Sequence, residues 1–495
     1  MSTAGPAQAA RALLAQGRAD AALAISAPAA ALPPADAATL DAHAAVLKAL
    51  GREDEALPFS KKATLRDPKD RIVWHNYASL TGDLGDYLES RKACEQAFRL
   101  GLEAPETWLV HGRALQGLED LDGAENSFRE ALKRRPHYAD AHRDLAQLIW
   151  MRTGDPERAL APLRAMGDVP ALAPVLALVL HRTGDPEAAY AVLRQASGRA
   201  PADLGLQLAL AKAATEAGDL DVALPIVDRL VQAAPGHIAV LEAASTAWLQ
   251  AGRAAEVLAL ARRKLESAPL DQLALAHAAT AARITGDPLY ERLYDYAAFV
   301  RPAAIAAPKG WSSVGDYLES LRTALIRMHK LEAHPLENSL RTGSQTARNL
   351  RRDRDPAIVA FFEAIDAPIR AYMAAVGQGD DPLRARNTGD YAIRGAWSVR
   401  LKPGGHHVDH IHPQGWLSSA FYVETPGEAL GRDSREGWIK FGQPNFRTTP
   451  PLEPAHYVMP QPGTLVLFPS YMWHGTVPFT TEESRMTIAF DVVPA

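Results

Sequence analysis

Four histidines stand within seven residues, at His406, His407, His410 and His412. A fifth, His474, closes the run Phe468-Pro469-Ser470-Tyr471-Met472-Trp473-His474. Residues two apart on a strand project from the same face. Two pairs have that spacing, His410 with His412 and His407 with Asp409. Their parities are opposite, so a continuous strand turns only one pair toward a pocket. Gly404-Gly405 before the cluster and Pro413-Gln414-Gly415 after it break the register, so parity cannot be carried in from neighbouring strands. Either pair, closed by His474 from a distant strand, makes three ligands around one divalent metal. Three protein ligands with open positions are the layout of a non-haem Fe(II) site that admits a cosubstrate and oxygen.

Arg485 follows His474 by eleven residues, and Thr487 stands two further on in an apolar run. The planar guanidinium suits a carboxylate, bound bidentately. That geometry fits the distal carboxylate of 2-oxoglutarate, with Thr487 adding a hydroxyl and Tyr422 a second one. His406 reads as a solvated side chain, and Trp416 and Trp473 read as packing residues.

These groups need a rigid β-scaffold. From Gly395 the chain breaks into short β-rich runs: 396–401, 417–424, 437–441, 464–468, 475–479 and 485–492. Turn signals such as Pro403-Gly404-Gly405 and Pro462-Gly463 separate them. With the ligand layout, this pattern predicts a double-stranded β-helix, or jelly roll. Two helical stretches, about 313–331 and 356–376, precede it.

The first three fifths carry an internal repeat. Gly17, Gly51 and Gly85 are 34 residues apart, as are Gly184, Gly218, Gly252 and Gly286. Glu119 takes the turn position between Gly85 and Gly154. A small residue follows five after the turn, as at Ala22, Ala56, Ala124, Ala159, Ala189 and Ala223. A proline follows seventeen after it, as at Pro68, Pro136, Pro201, Pro235 and Pro269. Glycine ends one helix, alanine lets two helices approach closely, and proline ends the second. The interval from Gly154 to Gly184 is four residues short and predicts an irregular unit.

Composition limits the rest. At 495 residues the chain is too long for one core. The net charge of −5 gives no support to nucleic-acid binding. The single cysteine, Cys94, excludes an intrachain disulfide and suits a reducing, cytoplasmic compartment. Met1 to Gly17 lacks the features of a secretion signal, and no apolar run reaches the roughly 18 residues of a membrane span.

The 34-residue pattern resembles the tetratricopeptide repeat over about 8–295. The stretch 404–423, with His410-Ile411-His412, is similar to the metal strand of the 2-oxoglutarate/Fe(II) oxygenases often fused to such repeats. Pro462 to Ser470 with Trp473 to Pro478 resembles their second metal segment, and Arg485 to Phe490 their cosubstrate strand. His334 to Thr346 is similar to the segment that opens that domain.

The resemblance implies an all-α solenoid at 8–295, a helical connector at 296–330 and an oxygenase domain of α+β jelly-roll type at 331–495. It favours His410, His412 and His474 as ligands, with His407, Asp409 and His474 as the other set. It assigns the cosubstrate to Arg485, Thr487 and Tyr422. The implied function is a 2-oxoglutarate- and Fe(II)-dependent dioxygenase, using O2 to hydroxylate a peptide or protein bound by the repeats. Two other readings stay open. One is a non-enzymatic repeat scaffold with a degenerate metal-binding jelly roll. The other is a three-histidine iron dioxygenase that does not use 2-oxoglutarate.

Overall fold

The structure, a computed structural model, describes residues 5–430 and 433–495. The first four residues of the amino-terminal stretch read above lie outside them. Contacts divide the chain into two compact units, Met1–Leu148 and Ile149–Ala495.

The first unit is all helical, in antiparallel pairs such as Ala37–Ala49 with Glu53–Arg66 and Pro105–Gly117 with Leu121–Arg134. The turn glycines take the left-handed conformation, with φ of 72° at Gly17, 71° at Gly51 and 74° at Gly85. Glu119 adopts the same conformation at φ 64°, so a side chain is accepted where the period demands a turn. Aspartates after the turns cap the next helix: Asp86 accepts from Glu89 N and Asp120 from Gly123 N. Ala22, Ala56 and Ala124 are fully buried where paired helices touch.

The second unit opens with more of these pairs, through Ala254–Ser267 and Gln272–Thr285. The short interval after Gly154 holds the nine-residue helix Pro156–Arg164 and a 3-10 turn at Pro170–Leu172. The helical pairs of each unit follow the tetratricopeptide-repeat pattern, and in the second unit a β-sheet region follows them.

Among the described residues, nine strands make that region: β1 (Arg301–Ala304), β2 (Leu340–Gln345), β3 (Tyr391–His407), β4 (Leu417–Glu424), β5 (Ile439–Phe441), β6 (His456–Val458), β7 (Thr464–Pro469), β8 (His474–Thr476) and β9 (Arg485–Pro494). They form two open sheets, in the orders β1-β7-β4-β9-β3-β2 and β6-β5-β8. The expected jelly roll is therefore corrected, since neither sheet closes into a barrel. β1 and β2 remain free edges of the large sheet, and the small sheet has strands of only three residues. The predicted helix at 356–376 is broken at Ile365 into Pro356–Ala364 and Asp366–Val376.

The main core lies between the large sheet and its helices. Phe361, Phe421, Phe468 and Phe490 are buried there. The same core takes in Leu275, Ala276, Ala279, Leu293 and Tyr294 from the last repeat and its continuation.

Candidate metal centre

β3 ends at His407, and the chain beyond it does not continue as a strand. His410 instead makes an isolated antiparallel bridge with His474, at 2.9 and 3.1 Å between backbone atoms. The parity rule for a continuous strand therefore does not apply past His407. His407, His410 and His412 all border one cavity, and His474 meets them from β8.

One potential ligand nitrogen from each of His410, His412 and His474 lies within 4.8 Å of the others. Ring centroids are 4.2 Å apart for His410 and His474, and 5.2 Å for the other two pairs. Each ring is pinned at Nδ1. His410 Nδ1 donates to Val408 O at 2.8 Å and His474 Nδ1 to Met472 O at 2.9 Å. His412 Nδ1 donates to Asp491 Oδ1 at 2.5 Å. A proton held at Nδ1 leaves Nε2 with a lone pair, the usual state of a metal-bound imidazole. Burial pushes His410 down to about 3 and holds His474 well below the ordinary histidine range, so both rings are neutral. Neutral imidazoles with fixed tautomers fit a divalent transition metal.

Asp409 does not join them. Its Oδ2 accepts from Lys440 Nζ at 2.7 Å, on the side where Gln443 Oε1 accepts from the same ammonium at 2.6 Å. Burial pushes its carboxyl up to about 6 despite that partner. Among the described residues, the metal-competent cluster contains imidazoles alone. This overturns the expected 2-oxoglutarate- and Fe(II)-dependent dioxygenase and its pair of cofactors. That chemistry normally rests on two histidines and one carboxylate, and no carboxylate stands in this cluster. His407 lies beside it, with its ring 5.7 Å from that of His410 and its Nδ1 2.9 Å from Ser339 Oγ. His406 is half-buried with Nδ1 against Gly404 O, and Trp416 packs in the core with Nε1 on Leu383 O.

The cavity has a volume of about 550 Å³. Arg485, Thr487, Ala489 and Asp491, alternate residues of β9, line one side of it. Arg485 is only 2 % exposed, and its Nε has no hydrogen-bond partner among the described residues. Its guanidinium lies 5.1 Å over the ring of the buried Tyr422. Tyr422 is the cross-strand neighbour of Thr487. A buried guanidinium without an acid beside it is costly unless an anion completes it.

Sequence reasoning missed Asp491, Ser339, Lys440 and Gly475. Asp491 was within reach, because the alternation of Arg485 and Thr487 arrives at it in two more steps. Gly475 is needed because a Cβ there would lie 2.7 Å from Asp409 Oδ1 and 3.0 Å from His407 O.

Residues 395–491 match the family described as "Putative 2OG-Fe(II) oxygenase". Residues 109–171 and 180–246 match tetratricopeptide-repeat families. The chain thus joins a tetratricopeptide-repeat region to a domain of that oxygenase family. No curated protein matches it. Among solved structures, a thermophilic tetratricopeptide-repeat protein of Thermus thermophilus is 23% identical, over 36% of this chain and 98% of that one, with a TM-score of 0.29. MamA of Desulfovibrio magneticus is 17% identical over 33% and 94%, with a TM-score of 0.30. PilF of Pseudomonas aeruginosa is 18% identical over 48% and 94%, with a TM-score of 0.29. Likenesses at this level have no bearing on function. Among the described residues, no helix is long and apolar enough to cross a membrane.

Proposed function

We propose that this chain is a repeat protein with a three-histidine, non-haem metal centre, acting as a dioxygenase that does not use 2-oxoglutarate. The observation that carries this reading is the imidazole cluster, with each ring fixed at Nδ1 and, among the described residues, no carboxylate in the cluster. His410, His412 and His474 are the ligands in this reading. A bound metal would supply Lewis acidity and a site for O2.

The residues around it do the rest. Asp491, Val408 O and Met472 O orient the three rings. Arg485, Thr487 and Tyr422 seat an anionic group of the substrate, which fits a buried guanidinium whose Nε has no partner among the described residues. Trp397, Ile439 and Phe468 line the cavity and limit water around the metal position. A metal serving structure alone would need no such cavity with a buried cation in its wall.

The repeats are proposed to bind a peptide or protein segment, the common use of such arrays. The lone, buried Cys94 supports a reducing compartment such as the cytoplasm.

The test is an anaerobic titration. The intact chain is expected to take up one Fe(II), and added 2-oxoglutarate is expected to produce no metal-to-ligand charge-transfer band. Appearance of that band would overturn the reading, as would failure to bind metal.

A further inference from the structure

The small sheet that carries His474 is attached to the repeats by a loop of its own. β5 pairs Phe441 with His474 on one side and with His456 of β6 on the other. Between β5 and β6 the chain makes an excursion over residues 442–455. Connections longer than roughly 12 residues are uncommon in compact domains unless they serve a function or are disordered. This one is fixed at both ends and in the middle.

Its ends are held by the sheet, where Gly442 N donates to Trp473 O and Ala455 N to Phe441 O, both at 2.9 Å. Its middle is held by the repeat helices Ile238–Gln250 and Gln272–Thr285. Thr449 N donates to Leu249 O at 2.9 Å, and Thr449 Oγ1 to Gln250 O at 2.7 Å. Phe446 stacks on His277 with centroids 5.7 Å apart and meets Trp473 edge-on at 5.7 Å. Arg283 Nη1 ties both limbs of the loop together, donating to Gly442 O at 3.0 Å and Glu453 O at 2.9 Å. Trp473, the residue before His474, donates from Nε1 to Thr280 Oγ1 at 3.0 Å. The repeat helices thus grip Trp473, the residue before the third imidazole, and the loop that leaves β5, the strand paired with β8.

We propose that Arg283, Phe446 and Thr449 are positioning residues for the metal centre. Through them the last repeats hold β5 and β8, and so set the distance of His474 from His410 and His412. A constellation of this kind loses function when its support loosens by about 1 Å. The last repeats are therefore part of the metal site's frame, and not only a means of gripping a partner. This inference rests on the three-histidine reading above.

Co(II) titrated into the intact chain is the probe, because its visible d–d band reports both affinity and ligand geometry. The wild type is expected to bind one Co(II), and His474→Ala to lose the band. Arg283→Met and Thr449→Val are expected to weaken Co(II) binding by about tenfold, in the range of support-shell losses, and to alter the band. Arg283→Lys is expected to restore part of both, because a donor returns. Lys212→Ala, on the exposed repeat surface where Lys212 pairs with Glu242, is expected to change neither. Thermal unfolding without metal is expected to stay cooperative in every variant. Should Arg283→Met disturb folding, Thr449→Val decides alone, since Thr449 is exposed. Loop variants with wild-type affinity and band shape would overturn the positioning role and leave the metal centre standing. A wild type that binds no Co(II) would overturn the metal centre and this inference with it.

Discussion

Asp491 and His412 are joined across the cavity wall, with Oδ1 of one accepting from Nδ1 of the other at 2.5 Å. Asp491 thereby does for a side chain what Val408 O and Met472 O do from the backbone. It is the one ring anchor of the three that a substitution can remove. Asp491→Ala is expected to lower metal affinity about 10–100-fold, the usual cost of losing a partner that orients a metal-bound histidine. Isothermal titration with Co(II) measures it. Unchanged affinity would remove Asp491 from the site.

The ligand assignment makes its own division. His410→Ala, His412→Ala and His474→Ala are each expected to abolish stoichiometric metal binding. Asp409→Ala and His407→Ala are expected to retain it. Asp409→Ala leaves Lys440 without its carboxylate partner, so a stability loss of about 3–5 kcal/mol is expected there instead. Metal analysis of the purified variants separates the two groups. Loss of metal from Asp409→Ala at full folding would restore the carboxylate set.

Arg485 tests the anion seat. Arg485→Ala is expected to keep metal binding but lose protection by small carboxylates in a thermal-shift screen of the metal-loaded chain. Arg485→Lys is expected to recover only part of the protection, because an ammonium lacks the planar fork. Equal carboxylate protection in the wild type and Arg485→Ala would show that the guanidinium faces no ligand.

Much of this was legible in the sequence, and the reasons differ by element. The repeats declare themselves by period, because each turn requires the same backbone conformation. Glu119 shows that the period outweighs the residue type, since it stands at φ 64° in a glycine's place. The histidine cluster was legible from residue type and spacing. Its geometry was not, because β3 ends at His407 and removes the alternation on which a choice between the pairs depends. Asp409 looked like a ligand because its partner Lys440 lies 31 residues away on another strand. The open sheets were illegible for a related reason. β1 pairs with β7 between Arg301 and Leu467, a contact no local pattern encodes. β2, in Leu340-Arg341-Thr342-Gly343-Ser344-Gln345, lacks the β-branched alternation of a strand.

His277 gives the chain an acid-sensitive point. It is fully buried against Phe446 and Trp473, and neither ring nitrogen has a hydrogen-bond partner among the described residues. Burial pushes its pKa down to about 4, below the ordinary value of 6.5. Between those values the unfolded chain binds a proton that the folded chain does not. The stability contributed by the neutral ring is therefore complete above about pH 6.5 and lost as pH falls toward about 4. The full loss is about 3 kcal/mol. His277→Phe keeps the stacking ring and removes the titration. It is expected to flatten the fall in unfolding midpoint between pH 7 and pH 4.5, relative to the wild type, as read by calorimetry. Parallel curves for the two proteins would rule His277 out.

The packing of the second unit predicts where the chain can be cut. A cut at residue 303, near the end of the repeats as read from sequence, looks natural by period alone. It would remove Leu275, Ala276, Ala279, Leu293, Tyr294, Phe299 and Val300 from the core that holds Phe468, Tyr471 and Trp473. It would also strand two buried hydrogen bonds, Tyr294 Oη to Tyr471 O at 3.1 Å and Tyr471 Oη to Leu293 O at 3.0 Å. Each lost large apolar side chain costs about 2–5 kcal/mol. The sum exceeds the roughly 5–15 kcal/mol that holds a typical domain together. A fragment of 303–495 is therefore expected to be insoluble or molten, with no cooperative unfolding. A fragment of 149–495 keeps every one of these contacts. It is expected to unfold cooperatively and to bind one Co(II) as the intact chain does. Circular dichroism melts and Co(II) titration of the two fragments check this. A folded, metal-binding 303–495 fragment would show that the last repeats are dispensable for the core they enter.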